Sequence, residues 1–440
     1  MSHAQVIVVD VFIADSLVKK SEQESAMLQV SDAEAIIFNL VQPLDKKWDR
    51  ELVTLLTAID RILAIPVTSQ LDFPHWDNSA MDGYAVRYED VSGATKDCPT
   101  VLEVVEEIPA GVKPLRYIQS GQAARIFTGA VMPEGADTVV MQEQTQKQGD
   151  RVLILAAPKP QEFVRHRASF YQAGGQLLPP GITINPAEIA VLAAAQCREV
   201  TVYRRPRVAI LSTGNELVAP DELLHPGQIV DSNQYALAAL VAQIGSEPVP
   251  MGIVRDRPEQ VKKAIAQAIS VADVVLSSGG VSVGDYDYID KNLEQLGATI
   301  HIRSVGIKPG KPLTVATFPK PKTQQSVLYF GLPGNPVSAL VTFWRFVQPA
   351  LRKLSGLANN WQPKFVLART RYDLTSDGKR ETYLWGQLHL VDGNYEFALA
   401  SGSPSSGNLI NLAQTNGLAV LPVGQTHIPA GEQVQVLQIN

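Results

Sequence analysis

Three apolar stretches of the sequence run directly into glycine, in a pattern suited to holding an anion. They are VAILSTG at 208–214, VVLSSGG at 274–280 and VLYFG at 327–331. In an open parallel sheet, ligands bind beyond the carboxyl ends of the strands, where glycine lets several backbone N–H groups approach one anion. The pattern therefore predicts a phosphate or oxyanion site in this part of the chain.

Two lysines, Lys308 and Lys311, could supply positive charge to such a site. Pro309 and Gly310 separate them, so they belong to a loop rather than to one face of a helix. A loop that presents two ammonium groups is a reasonable anion clamp, and solvated surface lysines are the alternative. The surrounding GIKPGKP superficially resembles a P-loop, but Pro312 stands where that motif requires Ser or Thr.

The composition of the chain excludes several classes of protein. The chain has 440 residues, of which 45% are hydrophobic and 19% charged, so we expect folded domains, about three or four of them. The net charge of −6 argues against a general nucleic-acid or membrane binder, so a phosphate ligand must be held locally. The two cysteines suggest neither a disulfide framework nor a zinc site. The apolar run at 6–13 is too short to span a bilayer, and we predict a cytoplasmic protein.

The elements that must position these loops are strands alternating with helices. Residues 205–354 show this alternation, which is typical of a three-layer domain with a parallel sheet and right-handed crossovers. Asp256 and Glu259 predict a capping box at the start of one crossover helix, so we attribute Asp256 to capping rather than to chemistry. Asp231 precedes a second helix, and N-capping explains it about as well as ligand contact does.

The remaining sequence predicts further regions around this domain. We expect residues 1–25 to form a loosely attached, flexible leader, and we assign no function to it. Residues 26–71 and 162–204 predict a helical linker or dimer arm, with a capping box at Ser31 and Glu34, an amphipathic helix at 48–63 and another helix at 186–195. Between them, residues 72–161 predict an inserted β-rich domain, and residues 355–440 predict a small β-barrel with a turn at Asp392 and Gly393.

Five motifs, in this order along the chain, resemble one known family. They are NSAMDGYAV (78–86), RIFTGAVMPEGADTVVMQE (125–143), SSGGVSVGDYD (277–287), KPGKP (308–312) and GLPGNPVSA (331–339). Together they look like the molybdopterin molybdenumtransferases, the MoeA and gephyrin E-domain family. The resemblance extends through DSN at 231–233 and TNGLAVLP at 415–422.

The resemblance implies an elongated homodimer of four-domain subunits that contain a MogA-like α/β domain. The site would lie between this domain of one subunit and the β-rich domain of the other. The implied reaction inserts molybdate into the dithiolene of adenylylated molybdopterin, with Mg²⁺ and with release of AMP. A MogA-type adenylyltransferase and apo-molybdoenzymes would be protein partners. Whether tungstate is also accepted is open.

The motifs and the chemistry of the reaction select the candidate site residues. Cleaving a phosphoanhydride needs charge neutralisation and positioning more than a nucleophile. The expected catalytic residues are Asp77, Asp82, Lys308 and Lys311. The expected cofactor-binding residues are Ser79, Thr128, Gly129, Asp137, Gly214, Ser278, Gly279, Gly280, Ser282, Pro309, Pro312, Pro333 and Asn335. Carboxylates suit Mg²⁺, and the candidate metal ligands are Asp231, Asp285 and Glu188, with Asp77 and Asp82 as further candidates.

Several of these residues have structural alternatives. Asp82 could belong only to a turn, and Thr128 and Asp137 could only shape a β turn. Asp285 could cap a helix beginning near residue 286, and Glu188 could be a helix-start residue.

The sequence departs from the family pattern in two places. Ala168, Ser169 and Phe170 stand where the family usually shows Gly, an acidic or amide residue, and Asp. Gln234 stands where an arginine commonly follows the DSN-type motif. These losses leave open a non-catalytic pterin-binding scaffold as an alternative function.

A serine esterase is the other alternative. The segment 280–284 matches the nucleophile motif G-x-S-x-G, with Ser282 as the nucleophile, and it follows a strand as that motif requires. The triad order needs an acid and then a histidine downstream, but His301 follows too closely. We therefore favour the transferase.

Overall fold

The computed structural model describes residues 27–279, 286–320, 325–402 and 405–439. The predicted leader and three predicted site residues, Gly280, Ser282 and Asp285, lie outside the described residues. None of the helices in these ranges combines the length and the apolarity needed to cross a membrane.

The first helix of the described residues belongs to the core of the α/β domain. The elements of residues 27–71 are α1 (Val30–Leu40), β1 (Arg50–Thr54), a 3₁₀ turn (Leu55–Thr57) and β2 (Val67–Thr68). Ile37 and Val41 pack in the same hydrophobic cluster as the parallel sheet. The predicted capping box at Ser31 is wrong, because α1 begins at Val30 and the carboxylate of Glu34 instead accepts a hydrogen bond from Arg345 Nη2 at 2.8 Å.

Residues 72–161 form the predicted β-rich unit. Its elements are β3 (Asn78–Ser79), β4 (Gly83–Val86), α2 (Tyr88–Val91), β5 (Thr100–Ile108), β6 (Gln122–Ile126), β7 (Thr138–Met141), a 3₁₀ turn (Gln142–Gln144), β8 (Thr145–Gln148) and β9 (Arg151–Ile154). Six of the strands form one sheet in the order β7-β4-β6-β5-β9-β8. Because β4 pairs with both β6 and β7, the motifs at 78–86 and 125–143 lie side by side.

The predicted helical arm (26–71 and 162–204) is less helical than the sequence predicts, although its predicted helix at 186–195 is present. The elements of residues 162–204 are β10 (Val164–Arg165), β11 (Gln176–Leu178), α3 (Pro186–Ala194) and β12 (Glu199–Tyr203). The predicted helix at 48–63 is wrong, because β1 pairs antiparallel with β12. The apolar spacing of Leu52, Leu55 and Leu56 resembles a helix, but pairing with a strand about 150 residues away overrides that local pattern.

Residues 205–354 form the predicted three-layer α/β domain. Its elements are β13 (Arg207–Thr213), β14 (Leu217–Val218), β15 (Ile229–Val230), α4 (Asn233–Gln243), β16 (Glu247–Val254), α5 (Pro258–Val271), β17 (Val274–Ser278), α6 (Tyr286–Gln295), β18 (Thr299–Ser304), β19 (Ile307–Lys308), β20 (Pro312–Pro319), β21 (Ser326–Leu332), α7 (Pro336–Thr342), a π-helical turn (Phe343–Val347) and α8 (Gln348–Leu354). The sheet order is β16-β13-β17-β21-β20-β18, and its first four strands are parallel.

Alternate residues of the central strands face opposite helical layers. Ile210 and Leu276 pack with α4 and α7, whereas Leu211 and Val275 pack with α5 and α6. A strand that is covered on both faces has a continuous apolar sequence, which explains the unbroken runs VAIL (208–211) and VVL (274–276). The three layers therefore direct all polar and glycine residues of β13, β17 and β21 to the strand ends.

The C-terminal residues close into a five-stranded barrel. The elements are β22 (Lys364–Thr370), β23 (Leu374–Thr375), β24 (Glu381–Val391), β25 (Asn394–Leu399), a 3₁₀ turn (Leu409–Leu412), β26 (Gly417–Leu421), β27 (His427–Ile428) and β28 (Gln433–Gln438). The ring runs β24-β25-β22-β28-β26 and returns to β24. The predicted turn at Asp392 and Gly393 is confirmed, and both residues have positive φ.

Candidate functional site

The carboxyl ends of β13, β17 and β21 converge, as the sequence predicts. Gly279, after β17, has a φ of +91°, and a Cβ atom there would clash with the carbonyl oxygen of Thr213 at the end of β13. Gly334, after β21, lies on the other side, and a Cβ atom on it would be 3.4 Å from Gly279 Cα. Position 279 therefore requires glycine, and the loops after three adjacent strands line one space.

A cavity of about 790 Å³ opens at this edge of the sheet. Six of the predicted site residues line it, namely Asp231, Ser278, Gly279, Pro312, Pro333 and Asn335. Gly214 adjoins it, because a Cβ atom there would lie 2.8 Å from the carboxylate of Glu216, which lines the cavity. The strand-end pattern of the sequence thus identifies a real concave site.

Two buried polar side chains of the cavity have atoms without a partner among the residues that the structure describes. The Asn233 amide nitrogen donates to Ser278 Oγ at 2.6 Å and to the Gly334 carbonyl at 2.8 Å, but its Oδ1 is buried and unpaired. Thr213 is 1% exposed, and its hydroxyl is also unpaired. Buried polar atoms normally have partners, so these two are suited to meeting a polar ligand or water.

The structure brings two carboxylates to the cavity that sequence reasoning missed, Glu216 and Asp256. The predicted capping box of Asp256 is wrong, because α5 begins at Pro258 and is preceded by Arg257. The Asp256 N–H instead bonds Asn215 Oδ1 at 3.2 Å, which ties the loop after β16 to the loop after β13. Both carboxylates follow parallel strands, so the strand-end rule applied to acids as well as glycines would have found them.

Asp231 is both a capping residue and a cavity residue. Its carboxylate accepts the Gln234 N–H at 3.2 Å and lies 3.4 Å from Gln234 Nε2, and the side chain is buried. The side-chain oxygen of Gln234, Oε1, accepts a hydrogen bond from the Gly252 N–H at 2.9 Å. At this departure from the family pattern, a neutral amide therefore holds a buried acid and the strand β16 together.

The two lysines stand on different sides of the KPGKP loop. Lys308, in β19, pairs with Thr382 of the barrel strand β24, and its Nζ lies 2.9 Å from Asp377 Oδ2. The exposed Lys311 ammonium has no hydrogen bond or ion pair among the residues that the structure describes. The loop itself packs against α7, because a Cβ atom on Gly310 would contact Thr342. The loop therefore borders the cavity through Pro312, while neither lysine nor Pro309 is part of its lining.

The C-terminal domain contributes one wall of the cavity. Gly407 and Leu409 line it. Ser406 accepts the Asn335 amide through its Oγ at 3.1 Å and the Val337 N–H through its carbonyl at 3.2 Å. The GLPGNP loop is therefore held by a segment about 70 residues further along the chain.

A second group of predicted residues gathers in the β-rich domain. The Asp82 carboxylate accepts the Thr128 N–H at 2.8 Å and the Thr128 hydroxyl at 2.7 Å. These two donors hold the pKa of Asp82 below its ordinary value. Nearby, the Gly129 N–H bonds the Ser79 carbonyl at 2.8 Å, and the buried Ser79 hydroxyl bonds the Met81 carbonyl. This cluster, which we call the Asp82 cluster (Ser79, Asp82, Thr128 and Gly129), does not line the cavity.

Three other predicted acids have structural contacts. Asp77 accepts the Arg167 N–H at 2.7 Å and lies 3.2 Å from His166 Nδ1. Asp137 accepts the Tyr88 N–H at 2.7 Å and so caps α2. Glu188 completes a capping box at the start of α3, where its carboxylate accepts the Asn185 N–H at 2.9 Å. In the described parts of the chain, no three acidic, histidine or cysteine side chains gather as a metal-binding group.

Comparison with known families covers most of the chain. Residues 28–195 match the profile of the MoeA N-terminal region, domains I and II. Residues 209–353 match a probable molybdopterin-binding domain. Residues 368–439 match the MoeA C-terminal region, domain IV.

Individual relatives agree with these matches. The chain is 65% identical over 413 residues to a molybdopterin molybdenumtransferase of Nostoc sp., which covers 94% of each chain. It is 34% identical to the enzyme of the same name from Haemophilus influenzae, over 91% of this chain and 96% of the relative. The crystal structure of a molybdopterin biosynthesis MoeA protein from Pyrococcus horikoshii OT3 superposes with a TM-score of 0.79 at 28% identity, covering 94% of this chain and 100% of that one.

Proposed function

The chain belongs to the molybdopterin molybdenumtransferase family of molybdenum cofactor biosynthesis, and from this premise we propose that it inserts molybdate into adenylylated molybdopterin with Mg²⁺-dependent release of AMP. The observation that carries the proposal is the cavity at the ends of β13, β17 and β21. Its loop amides and its unpaired Asn233 and Thr213 side chains suit phosphate and pterin oxygens.

The charges around the cavity suit a polyanionic substrate. The Lys311 ammonium has no partner among the described residues and Lys308 shares its ammonium with Asp377, so the loop could offset charge on molybdate and on the phosphoanhydride. An oxyanion that binds Lys308 would compete with Asp377. This exchange requires little energy because both side chains are partly exposed.

Glu216 and Asp256 are the carboxylates that best fit Mg²⁺. Mg²⁺ is held by one or two carboxylates together with waters and substrate phosphates, so it does not need a three-residue protein cluster. Asp231 also lines the cavity, but Gln234 already occupies its oxygens. When bound, Mg²⁺ would supply positive charge between phosphate oxygens. The side chains of Glu216 and Asp256 would hold the ion and orient the phosphates against the loop amides.

We also propose that the complete site forms between two subunits of a homodimer. The Asp82 cluster and the cavity lie in different domains, and the cavity lining contains no residue of the β-rich domain. A second copy could place its Asp82 cluster opposite the cavity. Exposed apolar side chains of the β1 region, Leu52 and Leu56, offer surface for such an association.

Activity measurements on purified protein test the reaction. AMP release would be followed after adding adenylylated molybdopterin, Mg²⁺ and molybdate, together with reconstitution of an apo-molybdoenzyme. Replacing both lysines, Lys308→Gln with Lys311→Gln, should slow AMP release by about 100-fold, because preorganised charge at the reacting group is lost. Lys364→Gln, at an exposed lysine of β22, is the matched control.

Other outcomes would favour the alternatives. Tight pterin binding without any AMP release would indicate a scaffold. Ester hydrolysis that is abolished by Ser282→Ala would indicate an esterase. Wild-type AMP release by the double lysine variant would contradict the proposed role of the loop.

Mixed dimers test the shared site. Asp82→Asn protein and the double lysine variant would each have low activity alone. After unfolding and refolding them together in equal amounts, half of the dimers are mixed and each contains one intact site, so activity should return to about a quarter of wild type. A site within one subunit would give no recovery.

A further inference from the structure

A second cavity, of about 530 Å³, lies where three parts of the chain meet. The arm contributes Asp60 and Thr183, the α/β domain contributes the end of α4 and the outer face of α8, and the C-terminal domain contributes Ile439. It shares no lining residue with the cavity at the sheet edge. It is therefore a separate space that the transferase reaction does not require.

One face of α8 presents donors to this second cavity. Gln348 and Arg352 are four residues apart, so they stand one above the other on the helix, and both line the cavity. Ser355, just beyond the helix end, lies on the same face and also lines it. A guanidinium, an amide and a hydroxyl thus point into one space from one rigid element.

Two of these donors, Gln348 and Arg352, have no partner among the described residues, whereas the Ser355 hydroxyl donates to the Arg352 carbonyl at 2.7 Å. Gln348 is 7% exposed, yet its amide makes no hydrogen bond to any described residue. The half-buried Arg352 guanidinium likewise has no hydrogen bond or ion pair with them, and burial lowers the pKa of Arg352. Arg205 faces the same cavity and uses one N–H group on the Gly245 carbonyl at 3.2 Å, at the carboxyl end of α4.

The partly buried guanidinium of Arg352 and the amide of Gln348 have lost part of their contact with water, and bonds to a ligand would offset that loss. Asp60 is the only acid among the described lining residues, against two arginines, so the cavity carries a net positive charge. The planar donor pair of a guanidinium matches two oxygens of a tetrahedral oxyanion, and the Gln348 amide and Arg205 line the same cavity. A ligand of this class would therefore give Arg352 and Gln348 the partners that they lack among the described residues.

We propose that this second cavity is a binding site for a tetrahedral oxyanion, either phosphate or the phosphate group of a small molecule, or molybdate. The three chain segments that line it would be held together by one ligand. Its occupancy would therefore stabilise the arrangement of the arm, the α/β domain and the C-terminal domain. This inference does not rest on the proposed function, since neither the lysine loop nor the Asp82 cluster takes part.

The test measures oxyanion binding to the full chain in a background that lacks the two lysines near the sheet-edge cavity. In the double lysine variant, Lys308→Gln with Lys311→Gln, inorganic phosphate and molybdate would be titrated separately by calorimetry, and each would be followed by its shift of the melting temperature. We expect oxyanion binding to remain and the melting temperature to rise with oxyanion concentration. Substitutions at the second cavity separate this binding from any binding to the loop amides of the sheet-edge cavity. The anion with the higher affinity identifies the source of the ligand.

Substitutions at the second cavity then decide the assignment. Arg352→Gln should reduce the affinity at least tenfold and abolish the melting shift. Gln348→Leu keeps about the same side-chain volume but removes the amide donor, so it should weaken binding. It replaces Arg352→Gln as the test variant if Arg352→Gln does not fold. Arg369→Gln, at an exposed arginine of β22, should change neither the affinity for the oxyanion nor the melting shift. Absence of oxyanion binding in the background variant, or an affinity and a melting shift that both cavity variants leave unchanged, would overturn the proposal.

Discussion

The side-chain amide of Asn233 donates to Ser278 Oγ across 2.6 Å, which ties the first residue of α4 to the last residue of β17. The same amide donates to the Gly334 carbonyl at 2.8 Å, beyond the end of β21. One buried side chain therefore fixes the spacing of two of the three loops that line the cavity. It is a positioning group for the site in addition to offering its free Oδ1 to a ligand.

Replacing Asn233 by alanine should damage both stability and activity. Asn233→Ala leaves the Ser278 hydroxyl and the Gly334 carbonyl without a donor, so we expect the free energy of unfolding to fall by about 1–3 kcal/mol. We also expect weaker pterin binding, because the loops lose their fixed spacing. Urea unfolding and a binding titration measure the two effects. Asn359→Ala, at an exposed residue, is the control, and equal unfolding midpoints for both variants would contradict the positioning role.

Asp273 should make the protein sensitive to acid. Burial alone would raise the pKa of this carboxyl group, but hydrogen bonds from Arg204 at 2.6 and 2.9 Å, from the Arg207 N–H and from Lys320 bring it to about 2. Because the folded pKa lies below the unfolded value, the stabilisation is complete above about pH 4 and is lost as pH falls toward 2. The loss is about 2 kcal/mol.

Asp273→Asn should remove this acid dependence. At pH 7 it should lower the free energy of unfolding by about 2–4 kcal/mol, because the partly buried Arg204 loses its main partner. Between pH 4 and 2, stability should then fall less steeply than in wild type. Thermal unfolding across this pH range measures both, with Asp97→Asn as an exposed control. A wild-type pH profile in the Asp273 variant would show that other groups cause the acid sensitivity.

The role of the Asp82 negative charge can be tested separately from the role of its hydrogen bonds in the turn. In Asp82→Asn the side-chain oxygen can still accept both Thr128 donors, so the turn should remain folded. If the negative charge takes part in catalysis, kcat should fall by about tenfold or more while the melting temperature changes little. Asp137→Asn, which changes an acid that caps α2, should leave kcat unaltered. Full activity of the Asp82 variant would assign this residue to the turn alone.

Ala168 should be a source of strain that glycine relieves. Its φ is +64°, a left-handed conformation that costs alanine about 1 kcal/mol relative to glycine. The family pattern usually has glycine at this position, which agrees with the backbone found here. Ala168→Gly should therefore raise the urea midpoint by an amount equivalent to about 1 kcal/mol. Ala173→Gly, at a nearby position without positive φ, should lower it, and the same sign for both variants would contradict the argument.

Much of the fold follows from local patterns in the sequence. The unbroken apolar runs before Gly214 and Gly279 identify strands buried on both faces, and a parallel sheet places their ends along one edge. The turn at Asp392 and Gly393 and the capping box at Glu188 are also local, since a few neighbouring residues determine them. The ordered motifs supply the family, which the comparisons confirm.

Only the tertiary structure determines which distant residues meet. The pairing of β1 with β12 replaces a locally plausible helix, and the cavity wall at Gly407 comes from the far end of the chain. Asp256 lines the cavity and does not cap α5, because α5 begins two residues after it, at Pro258. The capping pattern in the sequence does not reveal this. Such contacts depend on how layers pack, whereas periodicity and capping residues report only on neighbours along the chain.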